Sequence, residues 1–215
     1  MATGSKRQFL KQFDLRDQTT LLGIGLDLLR RAGGDGVNAF RAGSFGCNAD
    51  TLMAVELNGL AFDSSYNPLL FGMDSGIAEG RTLLDLTPVG ALHELPMTIF
   101  RDGMRRLRHA QLGACSFEEL RAALEDAQRV GLQSFMMLSH NFELLTPTRD
   151  RADRIVVDRM RRLCAFLDRN RDRFPTRGFI GFEPERAPQI TLPLEVPVWP
   201  TLRRLGEQAL RRGLY

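Results

Sequence analysis

Two stretches of the chain set polar side chains where chemistry is usually done. In Ala39-Phe40-Arg41-Ala42-Gly43-Ser44-Phe45-Gly46 a short apolar run ends in an arginine and a glycine-bracketed turn. Asn48-Ala49-Asp50-Thr51-Leu52 follows as a helix start, and Asp63-Ser64-Ser65-Tyr66-Asn67-Pro68 closes a second short apolar run with an acid. Run, helix and run make a βαβ pattern. That pattern predicts Arg41 and Asp63 at the carboxyl ends of neighbouring strands, where α/β proteins gather their site residues. Each also has a plainer reading: Arg41 could bind nearby carbonyls or a structural acid, and Asp63-Ser64-Ser65 could be turn chemistry. His140 ends a later apolar run, where a structural histidine held by its neighbours is the competing reading.

The elements that must carry these residues alternate between helix and strand. Leu21, Leu22, Ile24, Leu26, Leu28 and Leu29 predict a helix over Thr19–Arg31, stopped by Gly33-Gly34. Val37–Ala42 reads as a strand. Asn48 is placed to cap a helix over Ala49–Leu57, and Leu60–Asp63 is the next strand. Ser64–Arg81 is a loop long enough to cover a site. Leu83–Leu86 and Leu92–Phe100 read as strands, and Ser116 opens a helix reaching Val130. Leu132–Leu138 is apolar enough for a strand buried on both faces. Asn141–Asp150 is a loop and Arg151–Arg173 an amphipathic helix with Ile155, Met160, Leu163, Phe166 and Leu167 inside. Gly178–Phe182 is a short strand and Thr201–Arg212 a final helix. This order favours a parallel α/β arrangement.

At 215 residues the chain is expected to be a single domain, 1–215. It divides into a polar N-terminal segment (1–17), an α/β region (18–182) and a C-terminal extension and helix (183–215). Its 29 basic and 26 acidic residues leave a net charge of only +3, which argues against nucleic acid as a partner. Arg159, Arg161 and Arg162 interleave with Asp153, Asp158 and Asp168, the pattern of a solvated helix face. Cys47, Cys115 and Cys164 form no CxxC pair and point to a reducing compartment or to incidental thiols. No apolar run has the length of a signal peptide core or a membrane span, so no membrane partner and a cytoplasmic location are expected.

Four segments, in order, resemble the polysaccharide deacetylase (NodB-homology) family, over roughly residues 18–182. They are Phe40-Arg41-Ala42-Gly43, Asp63-Ser64-Ser65, Glu94-Leu95-Pro96-Met97-Thr98 and Met136-Met137-Leu138-Ser139-His140-Asn141-Phe142. The resemblance implies a partial or distorted (β/α) barrel and a family activity of metal-dependent hydrolysis of N-acetyl groups on carbohydrates. It implies catalytic roles for His140 as general acid, Arg41 as the group orienting an aspartate, and Asp63 as the carboxylate holding His140. Ser44, Phe45 and Phe142 become candidate substrate-contacting residues, with core packing the competing reading for the two phenylalanines. Backbone N–H groups of the Gly43–Gly46 turn would face an oxyanion.

The family takes zinc through paired aspartates and a histidine pair that precede the arginine strand. This chain has neither. His93, His109 and His140 are far apart, and Phe13-Asp14 lies in a polar segment without a second adjacent aspartate. The expectation is therefore no metal ligands and no cofactor in this chain alone, and a deacetylase-like protein whose metal-binding half is absent. The alternative is a non-catalytic carbohydrate-binding or scaffold domain. Missing strands would leave an open sheet edge, which predicts a homodimer or a partner subunit there.

Overall fold

The computed structural model describes residues 6–70, 72–78, 80–185 and 189–214. It is mixed α/β, with helices and two small mixed sheets. The described residues fall into two compact units, one drawn from Met1–Pro96 and Gly178–Glu185, the other from Met97–Arg177 and Arg186–Tyr215.

In the first unit, α1 (Leu15–Arg31) begins four residues before the expected start at Thr19. Asp14 caps it by accepting a hydrogen bond from the Asp17 N–H at 2.9 Å, so this aspartate is a helix cap. The helix α2 (Ala49–Leu57) has the expected bounds. Asn48 and Thr51 cap it reciprocally, side chain to backbone in both directions. Leu22 and Leu26 of α1 pack with Leu52, Ala54 and Val55 of α2 and with Leu60 and Leu92, forming the core beneath the sheet.

That sheet is ordered β1-β2-β4-β3, with β1 Ala39–Phe40, β2 Phe62–Asp63, β3 Thr87–Val89 and β4 Leu92–Glu94. The strands β1, β2 and β4 are parallel and β3 runs antiparallel to β4. No strand forms over Leu83–Leu86. There the Asp85 side chain accepts from the Leu86 N–H and the Thr87 hydroxyl donates to the Asp85 carbonyl, local bonds that replace a ladder. The expected strand over Gly178–Phe182 is instead a turn closed by the Phe182 N–H on the Phe179 carbonyl. Both phenylalanine rings of that turn pack on Phe62, with centroids 5.2 and 5.5 Å away.

The predicted strand Leu92–Phe100 is broken in two. Pro96 has no N–H to continue a ladder. The chain leaves β4 at Glu94 and re-enters extended structure at β5 (Ile99–Arg101), in the second unit. There β5 lies between β6 (Leu107–His109, antiparallel) and β7 (Leu194–Glu195, parallel).

The helix α3 (Phe117–Val130) runs as expected, from a Ser116–Glu119 capping box to a left-handed Gly131. The helix α4 (Arg154–Arg169) is shorter than expected, because Asp153 caps it by accepting from the Ile155 and Val156 N–H groups. The helix α5 (Val198–Leu214) starts earlier than expected, since Pro200 sits in the first turn, where no backbone donor is needed. Leu132–Leu138 is half-buried and forms only an isolated bridge, Gln111 with Leu138. The expected burial on both faces is not met, and the Met136 N–H goes to the Thr98 hydroxyl at 2.7 Å rather than to a strand partner.

Arginines hold this unit together. Arg159, which the charge pattern places on a solvated face, is 2% exposed. It donates to Glu207 at 2.8 Å and to the Leu112 and Gly113 carbonyls. Arg204 is buried between Asp102 (3.0 Å) and Glu119 (2.9 Å). The chemistry of α5 is therefore inverted. Its packed side is polar, while Trp199, Leu202 and Leu210 are exposed.

Candidate functional site

The parallel register brings the candidate residues of the first unit together. Ala39 pairs with Phe62 and Phe40 with Asp63. Phe62 in turn pairs with His93, and Asp63 with Glu94. Three chain segments therefore end at one edge: Arg41 after β1, Asp63-Ser64-Ser65-Tyr66 at the end of β2, and Glu94-Leu95 at the end of β4. Side chains in register on adjacent strands point the same way. Asp63 and Glu94, both with no exposed surface, thus face each other.

Two buried carboxylates side by side cannot both stay charged. Glu94 Oε1 accepts the Tyr66 N–H at 2.9 Å, whereas Oε2 has no donor facing it among the described residues. Asp63 is better supplied, with Oδ1 accepting the Ser65 N–H at 2.8 Å and Oδ2 the Ser65 hydroxyl at 2.9 Å. Burial raises the pKa of Glu94 well above the ordinary carboxylate range, and the neighbouring Asp63 adds to it. Burial also raises Asp63, but its bonds to Glu94 and Ser65 and the charge of Arg41 pull the other way. Both shifts disfavour a doubly charged pair, and the stronger one falls on Glu94.

Ser65 extends the network to the arginine loop. Its hydroxyl accepts the Ala42 N–H at 2.8 Å while donating to Asp63, and its carbonyl receives the Cys47 thiol at 3.4 Å. Burial, with Asp63 and Glu94 nearby, pushes that thiol up to about 12, so Cys47 is inert as a nucleophile. Arg41 donates to the Ser64 hydroxyl at 2.7 Å, and Ser64 passes its own proton to the Leu95 carbonyl at 2.7 Å. Each strand end is thus tied to its neighbour.

Arg41 itself is half-buried and lies 5.7 Å from the centroid of the Phe45 ring. Desolvation lowers its pKa, against the pull of Asp63 and Glu94, yet a guanidinium remains charged. Among the described residues its side-chain hydrogen bond is to Ser64, and a guanidinium carries five N–H donors. Phe45 is buried against that fork, whereas Ser44 is exposed. Both have positive φ, 53° and 56°, in a conformation that non-glycine residues rarely adopt. Strain of this kind costs about 1–3 kcal/mol per residue and persists only where the surroundings impose it.

His140 and Phe142 belong to the second unit. The rings stack with centroids 4.8 Å apart, and the Arg149 guanidinium lies 5.3 Å from the Phe142 centroid. His140 Nδ1 is 3.1 Å from Glu143 Oε1. Sequence reasoning does not single out Glu143, although its place three residues after His140 is a visible signal. It also misses the Asp63–Glu94 pairing, because strand register is not written in either motif.

Zinc does not fit the described residues. No three His, Cys, Asp or Glu side chains among them come together as a metal site. Of the buried Asp63–Glu94 pair, both Asp63 oxygens are engaged by Ser65 and one Glu94 oxygen by the Tyr66 N–H. No described helix is long and apolar enough to cross a membrane. Comparison with protein-family models, curated proteins and solved structures gives no match.

Proposed function

We propose that this chain is a polysaccharide deacetylase-like, carbohydrate-binding protein that recognises an N-acetylated sugar at the strand-end site around Arg41. The observation that carries this reading is the register of β1, β2 and β4, which brings Arg41, Asp63 and Glu94, taken from three separate motifs, to one edge. The β1-α2-β2 unit and its parallel neighbour β4 are compatible with part of a distorted (β/α) barrel. Asp63 and Glu94 are too deeply buried to touch a sugar. Their role is to hold Ser65, Ser64 and the arginine loop in place. Arg41 is the group within reach, and its N–H donors match the acetamido carbonyl and ring hydroxyls of a saccharide.

Hydrolysis of the acetyl group would need metal ligands that the described residues do not bring together, so this chain alone is assigned binding rather than turnover. The reading includes a cytoplasmic location, to which the three unpaired thiols are suited. It also includes a second copy or partner subunit at the free edge of β1, which sedimentation would detect as a species heavier than 24.2 kDa.

Calorimetric titration with an N-acetylated chito-oligosaccharide tests the proposal, alongside an acetate-release assay with and without added zinc. Binding by the wild type, at least tenfold weaker in Arg41→Ala, with no acetate released, is the expected result. Stoichiometric zinc uptake with acetate release would replace it with the enzymatic reading, in which His140 is the general acid. No binding at all would remove the carbohydrate assignment.

A further inference from the structure

The second unit contains a carboxylate–imidazole pair that the four motif segments do not explain. Glu143 belongs to a short 3-10 turn, Asn141–Leu144, directly after His140. Its side chain is only 10% exposed, and both oxygens are engaged. Oε1 accepts the Gln111 side-chain amide and faces His140 Nδ1 at 3.1 Å. Oε2 accepts the Gly113 N–H at 3.0 Å. The approach is close: a Cβ at Gly113 would lie 2.7 Å from Glu143 Oε2, so the carboxylate would have to shift. The Gln111–Gly113 segment is anchored in turn. The Leu112 N–H donates to the Leu138 carbonyl at 3.0 Å, and Arg159 donates to the Gly113 carbonyl at 3.2 Å. The carboxylate is fixed before His140 meets it.

We infer that Glu143 is the positioning residue for His140, holding it as the Nδ1–H tautomer and leaving Nε2 to exchange a proton or hydrogen bond with a ligand. The logic is that of acceptors and donors. Carboxylate oxygens accept, so the imidazole nitrogen facing Oε1 must carry a proton. In the neutral ring Nε2 is then the lone-pair atom. Nε2 has no protein partner among the described residues, and the side chain is 45% exposed. Phe142 stacks on the same ring and restricts its rotation. A base oriented by a third group in this way is the usual arrangement for proton transfer at a site.

This inference deepens the carbohydrate reading and rests on it for the identity of the ligand; the tautomer itself is independent of that reading. The test is ¹⁵N-detected imidazole NMR on the full chain, well above the ~6.5 pKa of a free imidazole. The His140 signal is assigned by its loss in His140→Asn. A pyrrole-type Nδ1 and a pyridine-type Nε2 in the wild type are expected. In Glu143→Leu, which has no acceptor for the Nδ1 proton, the Nδ1–H preference should give way to the Nε2–H form, and Glu143→Asp should keep the wild-type pattern. A wild-type Nε2–H tautomer, or a Glu143→Leu spectrum unchanged from wild type, overturns the inference. The wild-type spectrum alone decides the case if a variant fails to fold. An Nδ1–H tautomer in a protein that binds no saccharide would refute the carbohydrate reading and leave the positioning role standing.

Discussion

Replacing Glu94 by Gln should flatten the pH dependence of stability. In the folded protein, burial beside Asp63 keeps Glu94 protonated to a pH well above its ordinary range. In the unfolded chain Glu94 releases its proton near the reference value of about 4.3. Between those two points the folded state holds one more proton than the unfolded state. Stability contributed by this group therefore falls as pH rises, by about 1.4 kcal/mol per pH unit, from about pH 4.3 until the raised folded pKa is reached. Asp63, also raised, adds in the same direction at the lower end of that window. A glutamine at position 94 is neutral throughout, can accept the Tyr66 N–H through its carbonyl, and can donate an amide proton to Asp63. The variant should lose a little at acid pH, where a carboxyl O–H donor is replaced by an amide, about 0.5–1.5 kcal/mol. It should then overtake the wild type as pH rises. Urea unfolding followed by far-UV circular dichroism, between about pH 4 and pH 8, reads this difference. A constant gap between the two proteins across that range would refute the reasoning, because it would mean that Glu94 carries no extra proton in the fold.

Three further outcomes follow from packing and charge. Arg204→Met leaves Asp102 and Glu119 buried without their common cation, and should destabilise the protein by about 3–5 kcal/mol in urea titration. Gly103→Ala places a Cβ 2.3 Å from the Val198 backbone, which cannot yield as a flexible side chain does. It should loosen the start of α5, visible as faster amide exchange there and as changed Trp199 emission. Ser65→Ala removes the hydroxyl that links the Ala42 N–H to Asp63, and should cost about 1–3 kcal/mol while weakening saccharide binding through the arginine loop.

The sequence revealed the helices better than the strands, for physical reasons. Capping residues act within one turn, so Asn48 and Ser116 announced α2 and α3 directly. Asp14 also capped a helix, but no apolar periodicity marked that first turn. Strands depend on partners elsewhere in the chain. Leu132–Leu138 has the composition of a buried strand and gains only one bridge, at Leu138, while the Met136 N–H goes to the Thr98 side chain. The site was legible only in part: Arg41 and Asp63 each stood out at the end of an apolar run, whereas Glu94 fell inside the expected strand Leu92–Phe100. The pairing of the two acids was not legible, since one residue of register decides whether two carboxylates meet or face opposite sides. Buried arginines were the least visible feature. Arg159 and Arg204 lie among solvated arginines of the same helices, and only the distant acids and carbonyls they meet set them apart.

The account stands most directly on whether a sugar meets the arginine loop. Amide and guanidinium NMR spectra recorded while an N-acetylated chito-oligosaccharide is added to the ¹⁵N-labelled chain answer that question. The prediction is a saturable shift of the Arg41 Nε–H and of the Gly43–Gly46 amides, abolished in Arg41→Ala. Shifts confined to other parts of the chain, or none at saturating sugar, would contradict the placement of the site at the carboxyl ends of β1, β2 and β4.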